Sequence, residues 1–177
     1  KISPTETKIL RQGAFSQDQI RRLSTINILF VCTGNTCRSP MAEGLAKKAI
    51  AQKLKCDIDR LADMGYKVVS AGVAAANGIA ASHESIRFCD SRGISLAGHR
   101  SRRLTAEMLD EADYIFAMSA GHLDGIIDVN PAAASKCRLL EDGSSIADPI
   151  GSGFEIYTIC GNTIEKAVNK RISELFK

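Results

Sequence analysis

Hydrophobic and polar positions alternate along this chain in blocks that spell out an architecture. The run INILFVC, residues 26–32, is apolar except at Asn27; a short continuous run of this kind suits a strand covered on both faces. It ends at a Gly-containing loop, after which Ser39 offers a helix cap, Pro40 takes a first-turn position and MAEGLAKKAI has helical composition. YKVVSAG, 66–72, predicts a second strand closed by Gly72, and SHESIRFCDSRG, 82–93, a capped helix ending at Gly93. LTAEMLDEA, 104–112, predicts a helix leading straight into the strand DYIFAMS, 113–119. Ser119 then caps AGHLDGIIDV, Pro131 stops that helix, KCRLL at 136–140 offers a short strand, and 153–176 form a long amphipathic final helix. Strands alternating with helices imply an α/β fold, a parallel sheet with helices on both faces. In such sheets ligands sit beyond the carboxyl ends of the strands, which is where the loop after Cys32 falls.

Composition narrows the picture. A chain of 177 residues, 45% apolar, buries one sizeable core, so a single domain is expected, without internal repeats or low-complexity tracts. The net charge of +3 is spread along the chain without aromatic interleaving, which speaks against nucleic acid as a partner. No stretch approaches the roughly 18 apolar residues of a membrane span, and polar and charged residues interrupt the first thirty positions. Neither a membrane anchor nor a signal peptide is expected, and the cytoplasm is the expected location. The six cysteines are irregularly spaced, unlike the framework of a secreted mini-protein, and a reducing compartment would keep them as thiols.

The chemistry concentrates between Cys32 and Pro40, in CTGNTCRSP. A loop that leaves a strand, turns through Gly34 and Asn35 and enters a helix points successive backbone N–H groups inward, a cradle for an oxyanion. Arg38 adds a bidentate fork for two phosphate oxygens, and its charge and the helix N-terminus both lower the pKa of Cys32, priming a thiolate for attack on phosphorus. Asn35 tolerates positive φ, and Ser39 can donate a hydrogen bond to the sulfur when it becomes a leaving group. The Walker pattern GxxxxGK[ST] is absent, and no further Cys or His stands at zinc-ligand spacing.

VCTGNTCRSP resembles the signature loop of the low-molecular-weight protein-tyrosine phosphatases, and the resemblance runs on through VVSAG, HRSRRLTAEMLDEADYIFAM and ADPIG, over everything after the leader. It implies a four-stranded, doubly wound parallel sheet of strand order 2-1-3-4, with the phosphate loop after the first strand. By position it makes Cys32 the nucleophile that becomes phosphocysteine, Arg38 the phosphate clamp, and Asp148, in DPIG, the acid that protonates the leaving group and then serves as base for water. Thr33, Gly34, Asn35, Thr36, Cys37 and Ser39 would bind the phosphate; Asn35, Ser39, Ser70 and His99 match the buried polar network that holds the loop in shape. Phosphorylated proteins are the implied substrates; no metal or organic cofactor is implied, and the oligomeric state stays open. Residues 27–177 form the expected domain. In the leader, 1–26, the segment KILRQGAFSQDQI resembles the closing part of threonylcarbamoyl-adenylate synthase domains, so it is either the tail of an upstream domain or a linker.

Two positions bear on the substrate. Family members acting on phosphotyrosine carry a bulky aliphatic residue two places before the loop Arg and aromatic residues just after the Asp-Pro; here those places hold Thr36, and Ile150 with Gly151. Thr36 resembles the protein-arginine phosphatase branch, in which a β-branched hydroxyl residue narrows the pocket for a planar guanidinium, and Asp148 would pair with that group. Phosphoarginine is therefore the expected substrate, phosphotyrosine the alternative. The Cys32 and Cys37 pair suggests a reversible disulfide under mild oxidation. A thioredoxin-linked arsenate reductase shares this loop but needs a relay of two further cysteines, for which Cys89 is the sole candidate near a suitable segment. A non-catalytic phosphoprotein-binding module is disfavoured, because nucleophile, clamp and acid are all present.

Overall fold

The structure, a computed structural model, describes residues 25–176. The leader segment Lys8–Ile20 lies outside the described residues. The elements run β1 (Ile26–Cys32), α1 (Arg38–Leu54), β2 (Tyr66–Gly72), α2 (His83–Asp90), α3 (Ala106–Glu111), β3 (Tyr114–Ala117), α4 (Ala120–Val129), β4 (Cys137–Leu139) and α5 (Phe154–Leu175), with 3-10 turns at Ile58–Arg60 and Pro131–Lys136. The four strands form one parallel sheet of order β2-β1-β3-β4.

β1 is central, and its pattern follows from that place. Ile28, Phe30 and Cys32 face one core with Met41, Ala42 and Leu45 of α1, Phe88 of α2 and Ile164 and Val168 of α5. Leu29 and Val31 face the other with Leu109 of α3, Ile115 and Ala117 of β3 and Ile126 of α4. Both faces of the strand are covered, which is why its apolar run is continuous rather than alternating. Burying such side chains contributes on the order of 1.5–3 kcal/mol each, so β1 anchors the loop that follows it.

Three local expectations are corrected. Ser39 does not cap α1: the helix starts at Arg38, its N-cap is Cys37 without a side-chain bond, and Pro40 sits third in the first turn, where an N–H has no intrahelical partner in any case. The hydroxyl of Ser39 is used inside the site instead. Ser119 does stand at the N-cap of α4, but its side chain makes no cap bond; its hydroxyl meets Nδ1 of His122 at 2.8 Å. The segments 104–112 and 113–119 are longer than the elements they hold, because Thr105 caps α3 by accepting from Met108 N–H, and Met118, past the end of β3, gives its carbonyl to the N–H of Ile146 at 2.8 Å. That last bond brings the segment before Asp148 up to the sheet.

Candidate active site

β1 delivers Cys32 to the carboxyl end of the sheet, paired in register with Gly72 of β2. Gly72 has to be glycine: a Cβ there would lie 2.3 Å from the carbonyl oxygen of Thr33 and 2.9 Å from the nitrogen of Asn35. The phosphate loop therefore packs directly on the end of β2. Val73 N–H donates to Cys32 O and Ala74 N–H to Thr33 O, each at 3.0 Å, which turns these carbonyls outward. The sulfur of Cys32 accepts the N–H of Asn35 at 3.2 Å and meets the Ser39 hydroxyl at 3.0 Å.

Asn35 is the hub. Its φ of 54° lies in the left-handed region that an Asn tolerates better than most residues. Its side-chain N–H groups donate to Ser39 Oγ and Ser70 Oγ, both at 2.8 Å, and its Oδ1 accepts from Arg102 N–H at 2.9 Å. His99 Nε2 meets its backbone carbonyl at 2.8 Å. The structure thus joins Cys32, Asn35, Ser39, Ser70 and His99 in one connected group, with Asn35, Ser39 and Ser70 fully buried.

Arg38 is buried, and both arms of its fork are engaged. One arm donates to the carbonyl of Ile146 at 3.0 Å and the other is in an ion pair with Asp148. Asp148, whose side chain is 39% exposed, also accepts from Ile150 N–H at 3.2 Å. The carboxylate therefore sits where an oxyanion would meet the guanidinium. The thiol pKa is corrected too. Burial pushes Cys32 up; the Ser39 hydroxyl, the Ser39 and Asn35 N–H groups and the Arg38 charge pull it back. Sequence reasoning counted only the lowering partners, and the structure adds desolvation, the largest of the effects.

Thr33 is exposed, with Gly34 and Thr36 half-buried. Cys37 is buried and its sulfur faces Tyr157 Oη at 3.2 Å and Thr36 Oγ1 at 3.6 Å. All six cysteines are free thiols. Cys89 is fully buried and its thiol is pushed up to about 12, chiefly by burial and by Asp90. Among the described residues no group of three His, Cys, Asp or Glu is placed to hold a metal ion.

Three residues escaped the sequence reading. Glu43 accepts from Ser70 Oγ at 2.7 Å; Ser39, Glu43 and Lys47 recur every fourth position on one face of α1, a spacing visible in the sequence. His122 bridges Thr33 Oγ1 and Ser119 Oγ, both at 2.8 Å, and burial with the nearby Arg38 lowers its pKa to about 4. Tyr157, from α5, reaches Cys37; nothing in its local sequence signals that contact.

A cysteine at the carboxyl end of a central parallel strand, followed by a loop that turns through Asn35 at positive φ and closes on a helix-opening arginine, defines a cysteine-based phosphatase. The chain belongs to the family described as "Low molecular weight phosphotyrosine protein phosphatase", whose model matches residues 27–177. It is 38% identical over 154 residues to the protein-arginine-phosphatase of Geobacillus stearothermophilus, covering 84% of this chain and 95% of that one. It is 30% identical over 152 residues to the probable low molecular weight protein-tyrosine-phosphatase AmsI of Erwinia amylovora, covering 84% and 96%. Among solved structures it resembles a mutant of the YwlE arginine phosphatase with a phosphorylated active-site serine, at TM-score 0.75 and 31% identity, covering 86% and 97%. Four-stranded order, surrounding helices and phosphatase activity are common ground with these relatives.

Proposed function

We propose that this phosphatase hydrolyses phosphoarginine in proteins through a phosphocysteine intermediate. The observation that carries the substrate is Thr36: it stands half-buried in the loop between Asn35 and Cys37, where tyrosine-directed members hold a bulky aliphatic side chain, and it puts a hydroxyl where they put a hydrocarbon wall. The other wall agrees. After Asp148 and Pro149 come Ile150, 67% exposed, and Gly151 at φ 77°, so no aromatic ring stands there to sandwich a phenol. The 38% identical relative carries the name protein-arginine-phosphatase.

In this reading the Cys32 thiolate attacks phosphorus and the phosphorus–nitrogen bond breaks. Asp148, released from Arg38 and carrying the proton that the Cys32 thiol gave up, passes it to the departing guanidino nitrogen, leaving an unmodified arginine side chain and a phosphorus–sulfur bond. Water then attacks phosphorus, giving its proton to Asp148, and the sulfur leaves as a thiolate that accepts from the Ser39 hydroxyl and Asn35 N–H. Arg38 exchanges its ion pair with Asp148 for two phosphoryl oxygens, which frees the carboxylate for proton transfer and supplies charge where it develops. The YwlE mutant with a phosphorylated active-site serine supports a covalent step at the equivalent position.

The test is the ratio of kcat/KM for a phosphoarginine peptide and a phosphotyrosine peptide, in the wild type and in Thr36→Ile. The wild type is expected to favour phosphoarginine at least tenfold, and Thr36→Ile to erase most of that preference, a pocket contact being worth about 1–3 kcal/mol. A tyrosine preference that Thr36→Ile leaves alone sinks the arginine reading and leaves the phosphocysteine chemistry standing, as in the tyrosine-phosphatase relatives.

A further inference from the structure

Glu43 belongs to no part of the chemistry described so far, yet it is only 9% exposed and lies one helical turn beyond Ser39. Its Oε2 accepts from Ser70 Oγ at 2.7 Å and its Oε1 from Lys47 Nζ at 2.5 Å. Among the described residues no buried side-chain nitrogen or oxygen lacks a partner, so each hydrogen bond in the group can be given a direction.

The directions follow from the two ends. A carboxylate oxygen only accepts, so Ser70 spends its single proton on Glu43 and its oxygen is left to accept from Asn35 Nδ2 at 2.8 Å. The backbone N–H of Arg102 only donates, so it pins the oxygen of the Asn35 amide and turns the NH2 group inward. Both hydrogens of that NH2 are then used, the second on Ser39 Oγ at 2.8 Å. Ser39, with one lone pair taken, has its own proton to place, on Cys32 Sγ at 3.0 Å or the Ala71 carbonyl at 3.5 Å. The sulfur is nearer, and as a thiolate it is the stronger acceptor.

We infer that Glu43 is a positioning residue for Cys32. By taking the Ser70 proton it fixes the polarity of the series Glu43, Ser70, Asn35, Ser39, Cys32, so that the series ends in an O–H donated to the reacting sulfur. Without an acceptor at position 43, the Ser70 proton faces the Asn35 NH2, donor against donor. Asn35 is then pushed from its left-handed φ, and Ser39 loses the donor that orients it. The thiolate loses its support while the fold keeps its core. This inference rests on Cys32 acting as the nucleophile.

The experiment compares Glu43→Met, which removes the acceptor, with Glu43→Gln, which keeps an amide oxygen there. The rate of iodoacetamide alkylation at Cys32, identified by peptide mass spectrometry, is followed against pH, together with kcat and KM on p-nitrophenyl phosphate. Glu43→Met is expected to raise the alkylation midpoint by about one pH unit, about tenfold less thiolate below it, with kcat falling more than KM rises. Glu43→Gln is expected to stay close to the wild type, and adding Ser70→Ala to Glu43→Met to shift the midpoint no further, since both break the same series. A folded Glu43→Met with the wild-type midpoint overturns the inference, as does a Ser70→Ala effect that adds in full. Should Glu43→Met fail to fold, Ser70→Ala alone breaks the series and is expected to move the midpoint likewise. A Cys32→Ser variant that still turns over refutes the nucleophile reading itself, an outcome separate from an unmoved midpoint.

Discussion

The two halves of the site are built to opposite rules. The phosphate loop is held from every side: Asn35, Ser39 and Ser70 are fully buried, bonded to one another, and backed by β1 and α1. The segment carrying Asp148 is anchored at Ile146, which is buried and donates its N–H to Met118 O, and by bonds from Ala120 N–H to Ser145, from Arg38 to Ile146 O and from Cys160 to Ala147 O, while Ala147, Asp148 and Ile150 themselves are exposed. It carries Gly143 and Gly151 at positive φ and the exposed Ile150. An exposed stretch with its backbone open to water costs less to open than the buried loop. The contrast suits the proposed roles, since a nucleophile must stay aimed whereas an acid that leaves Arg38, gives up a proton and takes one back must shift.

Breaking the exposed half should leave the fold intact and strike the chemistry hardest. Asp148→Asn is expected to lower kcat for phosphoarginine and phenyl phosphates by about 10²–10⁴-fold, with Tm almost unchanged. Because it also removes the charge paired with Arg38, vanadate should bind more tightly to this variant; weaker vanadate binding would show that the ion pair does not compete with oxyanions.

Breaking the rigid half should do the reverse, disturbing structure first. Gly72→Ala places a methyl against the Thr33 carbonyl and Asn35 nitrogen. A cost of about 1–3 kcal/mol is expected from urea unfolding, with activity lost in step. A Gly72→Ala protein of wild-type stability and activity would mean that the loop is as pliable as the acid segment.

The smallest effect is set by His122, which ties Thr33 in the rigid half to Ser119. Its folded pKa of about 4 lies below the ordinary histidine value. As pH falls through the ordinary range, the unfolded chain takes up a proton that the native state refuses, so the contribution is complete above that range and declines down to about pH 4. The slope is at most about 1.4 kcal/mol per pH unit. His122→Phe should reduce the pH dependence of the urea midpoint between pH 6.5 and 4; an identical slope would place the imidazole in water rather than in the wall.

How much of this was legible in the chain depended on how far each cause reached. β1, the loop and α1 are contiguous, and their hydrophobic run, Gly-Asn turn and first-turn Pro act within a dozen residues, so strand, cradle and helix could be read directly. Ser39 was misread because its local propensity to cap yields to a tertiary use, the bonds to Asn35 and Cys32. Glu43, His122 and Tyr157 act on partners 27, 89 and 120 residues away, and no local pattern encodes such pairings. The resemblance could supply Ser70, His99 and Asp148 for the same reason that periodicity could not: it carries spatial information that spacing lacks.

The ion pair between Arg38 and Asp148 joins residues 110 positions apart, and this separation has a consequence for the life of the chain on the ribosome. The cysteine loop emerges before Asp148, and α5, which closes the face shared by β1 and α1, emerges after both. Contacts this distant in sequence are the slowest to form. A growing chain therefore carries Cys32 and Arg38 well before the residues that face them across the fold.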